Sequence, residues 1–298
     1  MQFSNFNGII IPLFSIKAVI LSQNRESHVK AVTLSLFRQK MQIYTEFNKY
    51  DSLFVCGDIH GEFKTLLYEI KCKGISNAII LIAGDCGIGF EKAGHYEQLY
   101  QKLSRTLQKA NCILLLLRGN HDDPEYFEKG LIDYPFMKTI PDYSVIRFKN
   151  RNILCIGGAV SVDRSERLHV MWLAGLKGRT VKFYWEGEAP MFDQSQLSEL
   201  RTNDILIDTV VTHTVPSFCA PITKTGIESW LLKDEQLSED IARERKVMDE
   251  IYDYLIKDGH PVKNWFYGHF HDSYTEYISN ICFRMLNIME FYELKTDE

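Results

Sequence analysis

The sequence lacks the features of several protein classes. Its 298 residues include seven cysteines but no C-x-x-C pair, and this usage favours buried, reduced thiols over a disulfide framework. Basic residues are not in excess, because 34 Lys and Arg stand against 39 Asp and Glu, a net charge of −5. General affinity for nucleic acid is therefore not indicated. No internal repeat or low-complexity linker is present.

Long apolar runs are also scarce. The apolar stretch at residues 8–21 is interrupted by Pro12 and Lys17 and is short for a membrane span. It has neither a basic region before it nor a small-residue cleavage site, so a secretory signal is not indicated. With 45% apolar and 24% charged residues, the composition is that of an ordinary globular protein. We expect a cytoplasmic protein with no membrane partner.

Short apolar runs predict strands, with helical patterns between them. Most runs are unbroken rather than alternating, which suits a sheet that is covered on both faces. Helical spacing before Gly74, Asn111 and Gly259 predicts three helices that end near those residues. This alternation predicts a layered α/β architecture with at least one mixed sheet. The predicted strands are residues 53–56, 78–83, 112–117, 153–156, 205–212 and 265–267, with a further strand region, a hairpin around Asn287, at 281–294.

Two regions stand apart from this alternation. Residues 1–50 are predicted to form an N-terminal extension that packs on the core and has no catalytic role, leaving residues 51–298 as the main domain. Residues 164–193 are predicted to form an irregular insertion near the functional site. Within it, Arg164 and Arg167 could line a substrate cleft or belong to a solvated loop with a structural ion pair, and the sequence leaves both interpretations open.

Five short polar blocks follow the predicted strands. Together they contain three Asp, one Asn and five His. Even without Asp122, these residues are enough to hold two divalent metals and leave one histidine free for proton transfer. Ligands in this position fit the rule that α/β sites form at the carboxyl ends of strands. The blocks are Asp58-Ile59-His60, Gly84-Asp85, Gly119-Asn120-His121-Asp122, Val211-Thr212-His213 and Gly268-His269-Phe270-His271.

The donor types in these blocks indicate the chemistry. Carboxylate, amide and imidazole donors suit Mn, Fe, Zn or Mg, and no thiolate is needed. Two metals in one site must share a bridging ligand. A carboxylate can bridge two metals, so Asp85 is the natural candidate. Asp58 and His60 can reach one ion if the chain turns after the strand, as the flanking glycines permit. Phosphoester hydrolysis is therefore the leading hypothesis.

The blocks resemble the motifs of the calcineurin-like metallophosphoesterases from about residue 53 to residue 294, including the run Leu117-Arg118-Gly119-Asn120-His121-Asp122. The resemblance implies a four-layer α/β/β/α sandwich, with two mixed sheets flanked by helices, and a dinuclear metal centre. It implies two ligand sets. One consists of Asp58, His60, Asp85 and His271, and the other of Asp85, Asn120, His213 and His269.

The resemblance also implies catalytic roles. His121 would donate a proton to the leaving alkoxide, and Arg118 would contact the phosphate. Two divalent ions, manganese first and iron, zinc or magnesium as alternatives, would neutralise phosphate charge and activate a water for in-line attack. The natural phosphoester substrate is not identified by the motifs.

One departure from the family pattern concerns Ile88. The second block of the family usually reads G-D-x-x-D, and its second aspartate often orients the catalytic histidine. Here Ile88 occupies that position, and Asp122, Asp123 or Asp163 could replace the missing carboxylate. The stretches 158–164 and 212–216 look like a bacterial and phage branch of the superfamily.

Two alternatives remain at this stage. The first is a catalytically inactive phosphoesterase fold that serves as an interaction scaffold, which the presence of His121 and of every ligand position disfavours. The second lies within the enzymes, where a phosphodiesterase or nuclease competes with a phosphomonoesterase or protein phosphatase. Nucleic acid is thus not excluded as a diester substrate.

Overall fold

The computed structural model describes residues 3–6, 9–12, 41–92, 94–223 and 225–295. Most of the extension predicted over residues 1–50, and most of the apolar stretch at residues 8–21, lie outside these ranges.

The chain divides into two compact units, Met1–Lys40 and Met41–Glu298. In the first unit β1 (Phe3–Phe6) and β2 (Ile9–Pro12) form an antiparallel pair, in which Phe3 lies opposite Pro12. The last part of the predicted extension belongs to the second unit, where Phe47 and Tyr50 are buried.

The second unit alternates strands and helices before a strand-rich end, and a short 3-10 helix spans Glu46–Lys49. Its described strands are β3 (Ile43–Tyr44), β4 (Ser52–Cys56), β5 (Ala78–Ile82), β6 (Cys112–Leu116), β7 (Asp133–Tyr134), β8 (Met137–Thr139), β9 (Ser144–Phe148), β10 (Arg151–Ile156), β11 (Thr209–Thr212), β12 (Asn264–Tyr267), β13 (Tyr274–Ile278), β14 (Ile281–Met285) and β15 (Phe291–Glu293). Its described helices are α1 (Phe63–Cys72), α2 (His95–Ala110), α3 (Pro124–Glu128), α4 (Arg164–Leu176), α5 (Gln194–Thr202), α6 (Glu228–Leu231) and α7 (Leu237–Lys257).

The strands of the second unit form two mixed sheets. The six-stranded sheet has the order β15-β4-β5-β6-β8-β7, and the seven-stranded sheet has the order β13-β14-β12-β11-β10-β9-β3. In the six-stranded sheet β4, β5 and β6 are parallel and end level, since Cys56 lies opposite Ile82 and Ile82 opposite Leu116. In the seven-stranded sheet β10, β11 and β12 are likewise parallel. Each sheet therefore presents a row of carboxyl strand ends.

The two sheets share a buried apolar layer. From the six-stranded sheet Leu53, Val55 and Leu81 enter this layer, and from the seven-stranded sheet Val211 and Phe266 enter it. Alternate residues of the same strands point the other way because successive side chains of a strand lie on opposite faces.

The outer face of each sheet is covered by helices. On the six-stranded sheet Ile80 and Ile82 lie in one cluster with Leu66 of α1 and Leu103 of α2. On the seven-stranded sheet the outer cluster includes Val210 and Trp265 of the sheet, Leu197 and Leu200 of α5, and Met248, Ile251 and Leu255 of α7. The predicted fold, two mixed sheets flanked by helices in the order α/β/β/α, is confirmed.

The helices end where the sequence predicts. Helix α1 stops at Cys72, and Gly74 takes φ +66°, a left-handed conformation that glycine adopts without steric cost. Helix α2 stops at Ala110, before Asn111 in the left-handed region at φ 50°. The third predicted helix corresponds to α7, which ends at Lys257, shortly before Gly259.

Three predictions for local structure need correction. The predicted hairpin around Asn287 is wrong because β14 pairs within the seven-stranded sheet and β15 with β4 of the other sheet. The predicted irregular insertion begins with a regular helix, α4. The strand predicted at residues 205–212 is confined to Thr209–Thr212. An apolar run predicts burial, but it specifies neither the partner strand nor the backbone conformation.

The cysteines bear on the expectation of buried, reduced thiols, and the helices bear on the expectation that no segment spans a membrane. Five of the seven cysteines are buried, Cys72 is exposed and Cys282 is partly exposed, and all seven thiols are free. Within the described ranges the structure has no helix that is both long and apolar enough to cross a membrane.

Candidate metal centre

The predicted ligands come together where the carboxyl ends of both sheets meet. Asp58 and His60 follow β4, Asp85 follows β5, and Asn120 follows β6 of the six-stranded sheet. His213 follows β11 of the seven-stranded sheet, and His269 and His271 follow β12. The site thus lies at the shared edge of the two sheets.

One group of ligands consists of Asp58, His60, Asp85 and His271. One ligand atom from each of these four residues lies within 4.8 Å of all the others. The Nε2 atom of His271 is 3.0 Å from Oδ2 of Asp58 and 3.0 Å from Nε2 of His60. Two carboxylates and two imidazoles at these separations fit a single divalent cation.

A second group gathers around His213. Its Nε2 atom lies 3.2 Å from Oδ1 of Asp85 and 3.1 Å from Oδ1 of Asn120, and its ring centroid is 5.0 Å from that of His269. The Nδ1–H of His213 donates to the carbonyl of Ala83 at 2.7 Å. This bond leaves the Nε2 lone pair for a metal, as is usual for metal-binding histidines.

Asp85 lies between the two groups. Its Oδ2 is 3.8 Å from Nδ1 of His60, and its Oδ1 is 3.2 Å from Nε2 of His213. The backbone N–H of His121 donates to the same Oδ1 at 2.8 Å. One carboxylate therefore directs one oxygen toward each ligand group.

The electrostatics of the centre favour bound positive charge. Burial alone would raise the pKa of Asp85, but His213 and His121 hold that pKa well below its usual range. Burial alone would lower the pKa of His213, but Asp85 and Asp58 raise it to about 10. The two buried carboxylates thus favour positive charge in their vicinity.

The backbone of the centre is strained. Four of the predicted ligands have φ in the left-handed region, namely His60 (46°), Asp85 (47°), His269 (70°) and His271 (54°). Each such residue costs about 1–2 kcal/mol relative to an ordinary backbone conformation. Strain of this kind persists where the surrounding structure imposes it, and it clusters at functional sites.

Three glycines let ligand side chains lie directly against neighbouring backbone. A Cβ atom on Gly84 would stand 2.1 Å from Nδ1 of His213, and one on Gly119 would stand 2.1 Å from Oδ1 of Asp85. A Cβ on Gly268 would stand 2.2 Å from Oδ1 of Asp58. At these three positions next to the ligands, any side chain larger than that of glycine would therefore clash with a ligand side chain.

Asp122 is one candidate to orient His121, and the structure places its carboxylate elsewhere. The carboxylate is fully buried and accepts three backbone N–H bonds, from Cys86 (2.9 Å), Ile88 (2.8 Å) and Gly119 (2.7 Å). These bonds join the loop after β5 to the loop after β6. Asp122 is thus a brace between ligand loops, which corrects the expectation of a contact with the imidazole.

Neither of the other two carboxylates proposed for that role forms a hydrogen bond with the imidazole among the described residues. Asp123 accepts the N–H of Glu125 at the start of α3 and pairs with Lys182 at 3.3 Å. Asp163 accepts the Nε–H of Arg167 at 2.7 Å, and its negative charge opposes the lowering of the His121 pKa that burial causes.

Arg118 is fully engaged within the protein. Its Nε–H and Nη2–H donate to Oδ2 of Asp142 at 2.9 and 2.7 Å, and its Nη1–H donates to the carbonyl of Glu188 at 2.7 Å. The residue is 5% exposed. This placement does not support the predicted phosphate contact, because Arg118 ties its own loop to two distant segments instead.

Arg167 lies at the centre, although no sequence motif assigns it there. Its Nη2 lies 2.6 Å from Nε2 and 3.1 Å from Nδ1 of His121. Burial is the largest cause of the lowered pKa of His121, and the charge of Arg167 adds to it, whereas Asp85 opposes it. Of the two interpretations left open for these arginines, Arg164 forms ion pairs with Asp234 (2.6 Å) and Asp240 (2.7 Å), and only Arg167 reaches the centre.

A second contribution not predicted from the sequence orients Asn120. Its Nδ2–H donates to Oγ of Ser161 at 3.0 Å, and the hydroxyl of Ser161 donates to Oε2 of Glu188 at 2.6 Å. The amide is thereby turned so that Oδ1 faces the second ligand group. Ser161 lies in the stretch 158–164 that resembles one branch of the family, which is the only sequence signal for this support.

Two cavities meet at His121. The larger, about 730 Å³, extends from Asp85, Asn120 and His269 to a wall that includes Trp230 and Ile241. The smaller, about 410 Å³, is lined by His121 together with His60, Phe90, Tyr96 and Leu99. A substrate group bound at the metal ligands therefore has room for an organic part.

The chain matches the calcineurin-like phosphoesterase family over residues 52–273 and belongs to it. The matched range includes all seven predicted metal ligands. The family and the candidate ligand cluster together define a metallophosphoesterase, a hydrolase of phosphoric esters.

Comparison with individual proteins adds little to this assignment. No curated protein matches the chain significantly. Among solved structures, a phosphopantetheinyl hydrolase from Mycobacterium tuberculosis is similar at a TM-score of 0.42 and 12% identity, covering 84% of this chain and 98% of that chain. A likeness at this level does not bear on the substrate.

Proposed function

We propose that this protein hydrolyses phosphoesters at a centre of two divalent metals. The observation that carries the proposal is the position of Asp85, with Oδ2 3.8 Å from His60 and Oδ1 3.2 Å from His213. A single carboxylate with an oxygen toward each ligand group is the geometry that a bridging ligand requires.

The residues present fit such a centre. The first group offers two carboxylates and two imidazoles around one point, and the second offers imidazole and amide donors beside the shared carboxylate. Oxygen and nitrogen donors without thiolate suit manganese, and also iron, zinc or magnesium. When bound, these cations supply Lewis acidity, which neutralises phosphate charge and makes water a stronger nucleophile.

The chain's own residues supply the proton transfer. His121 is held at the centre by its backbone N–H bond to Asp85, 2.8 Å, and its ring does not belong to either ligand group. An imidazole in this position can protonate the leaving oxygen as the P–O bond breaks. No side chain needs to be phosphorylated in this scheme.

The larger cavity supports a substrate with an apolar or aromatic alcohol group. Its wall includes Ile227, Trp230 and Ile241. The one Arg or Lys among its described lining residues is Arg245, whose guanidinium lies 5.5 Å from the ring of Phe270 and donates to backbone carbonyls. Carboxylates, by contrast, are lining residues at four places outside the ligand groups, Asp163, Glu244, Asp249 and Asp272.

This charge pattern disfavours a polyanionic substrate. A nucleic acid strand binds mainly through cationic contacts to its phosphates, and the described wall offers carboxylates instead. We therefore propose a small-molecule ester rather than a nucleic acid as the substrate. We also assign the chain to the bacterial and phage branch of the family, because residues 158–164 and 212–216 resemble that branch.

The first test compares two chromogenic esters after the metal-free protein has been loaded with Mn²⁺. The protein is expected to bind about two metals per chain and to hydrolyse 4-nitrophenyl phosphate, bis(4-nitrophenyl) phosphate or both. Asp85→Asn should lower both metal content and turnover, whereas His121→Ala should lower turnover and retain the metals. Equal turnover in both variants and the wild type would sink the assignment, and a protein that binds no metal and cleaves neither ester would be a scaffold.

The second arm of this test concerns the alcohol group. Phenyl phosphate and 2-naphthyl phosphate release phenols of similar acidity, so a difference in kcat/KM between them reports on binding of the ring. We expect a preference for the naphthyl ester of about tenfold, since an added ring buries further apolar area. Trp230→Ala should remove the preference, whereas the control Leu232→Ala, at a side chain 87% exposed and outside the wall, should retain it. A preference for oligonucleotides over both esters would contradict the small-molecule assignment.

A further inference from the structure

Arg167 is fixed at the metal centre by contacts that aim one nitrogen at His121. Its Nε–H donates to Oδ1 of Asp163 at 2.7 Å, and its Nη1–H donates to the carbonyl of Phe183 at 3.1 Å. The third nitrogen, Nη2, faces the imidazole of His121 at 2.6 Å. The side chain is 13% exposed, so its position is set by the protein and not by solvent.

The helix that carries Arg167 does not need this residue for packing. Helix α4 contains no buried residue. Arg164 anchors it through ion pairs to Asp234 and Asp240. A long side chain that is nevertheless directed inward, and held on two sides by hydrogen bonds, has a positional role.

The contact between Arg167 and His121 can be replaced by a contact between Arg167 and a phosphate group. A guanidinium cannot lose its proton at ordinary pH, so the nitrogen of His121 that it meets must be the unprotonated acceptor. A phosphoryl oxygen that replaces the imidazole in this contact would accept the N–H of Nη2 as a charge-assisted hydrogen bond.

We infer that Arg167 is the phosphate-binding arginine of this enzyme, in the role that the sequence suggested for Arg118. The inference rests on the proposed phosphoester hydrolysis. Guanidinium groups bind phosphate oxygens through charge-assisted hydrogen bonds, and Nη2 is the one nitrogen of Arg167 that faces the centre. Asp163, which fixes Nε, is a positioning residue.

The test measures binding of inorganic phosphate to Mn²⁺-loaded protein by calorimetry, so that it does not depend on turnover. A charge-assisted hydrogen bond contributes about 1.5–3 kcal/mol, so Arg167→Gln should weaken phosphate binding about 10- to 100-fold at unchanged metal content and Tm. Arg167→Lys should restore part of the affinity, because it keeps the charge and loses the fixed fork. Asp163→Asn should fall between the wild type and Arg167→Gln.

The control is Arg179→Gln, since Arg179 is exposed and lies just beyond the end of α4. This change removes the same charge and should leave phosphate binding within about twofold of the wild type. In steady state Arg167→Gln should raise KM for the preferred ester more than it lowers kcat. Unchanged phosphate affinity in Arg167→Gln with a fall in kcat alone would overturn the inference and leave Arg167 as a support for His121.

The proposed function and this inference can fail separately. A wild-type protein that binds phosphate but hydrolyses no ester would contradict the proposed function, and the Arg167 variants would still decide the inference. A hydrolase whose Arg167→Gln variant binds phosphate like the Arg179→Gln variant would contradict the inference alone.

Discussion

Replacing Gly84 by alanine tests the steric basis of the metal centre. Gly84 has φ +99°, and a Cβ there would stand 2.1 Å from Nδ1, 2.5 Å from Cγ and 2.9 Å from Cβ of His213. These atoms belong to the base of a fully buried ring, so the clash cannot be relieved by moving the end of a flexible side chain. The ring of His213 has to shift as a whole.

The magnitude follows from two terms. A non-glycine residue in this backbone region costs about 1–3 kcal/mol. The shift of His213 breaks the 2.7 Å bond to the carbonyl of Ala83, and leaving that buried group unpaired costs about 1–3 kcal/mol. Gly84→Ala should therefore lower the free energy of unfolding by about 2–6 kcal/mol in total.

Gly74→Ala is the matched control. Gly74 also has positive φ, +66°, but a Cβ there meets no atom within 4 Å, so the variant carries the backbone cost alone, about 1–2 kcal/mol. Urea unfolding of the metal-free proteins measures both values, and metal content after Mn²⁺ loading measures the effect on the centre. If Gly84→Ala is no less stable than Gly74→Ala and binds the same amount of metal, the steric reasoning is wrong.

Two further predictions concern buried carboxylates. Asp122→Asn should lower the free energy of unfolding of the metal-free protein by about 2–4 kcal/mol, because an amide cannot accept all three backbone N–H bonds as a carboxylate does; an unchanged urea midpoint would refute the bracing role. Burial raises the pKa of Glu188 to about 7 from 4.5, against the bonds from Ser161 that lower it. Between about pH 4.5 and about pH 7, the folded state therefore binds more protons at Glu188 than the unfolded state does. The free energy of unfolding should fall as pH rises through this range, by up to about 3 kcal/mol. Urea titrations at several pH values should show that Glu188→Gln loses this slope, and a slope equal to that of the wild type would count against the assignment.

The grouping of the candidate ligands could be predicted because the information for it is local. Each block follows an apolar run, and the carboxyl ends of parallel strands meet at one edge of a sheet. Carboxylate chemistry alone predicts Asp85 as the ligand that two metals would share, and its two oxygens lie toward the two groups.

The arginines could not be predicted because their partners are distant. Arg118 is held by Asp142, 24 residues away, and by Glu188, 70 residues away. Arg167 meets His121 across 46 residues. No local pattern distinguishes an arginine that points into a site from one that ties two loops together.

The same limit applies to strand pairing. The run at residues 281–294 contains strands, as predicted, but β15 pairs with β4 in the other sheet. Gly57 permits that crossing, since a Cβ there would stand 2.2 Å from the carbonyl oxygen of Asn287. Steric complementarity between positions so far apart leaves no periodic signal in the sequence.

The order in which the ligands occur along the chain has a consequence for biosynthesis. The group that contains Asp58 is completed by His271, which lies 213 residues later in the sequence. A growing polypeptide that has already formed β4, β5 and β6 therefore holds only part of the donor set, because His213, His269 and His271 follow later strands. On the proposed mechanism, a nascent chain that has not yet reached residue 271 lacks one member of the first ligand group.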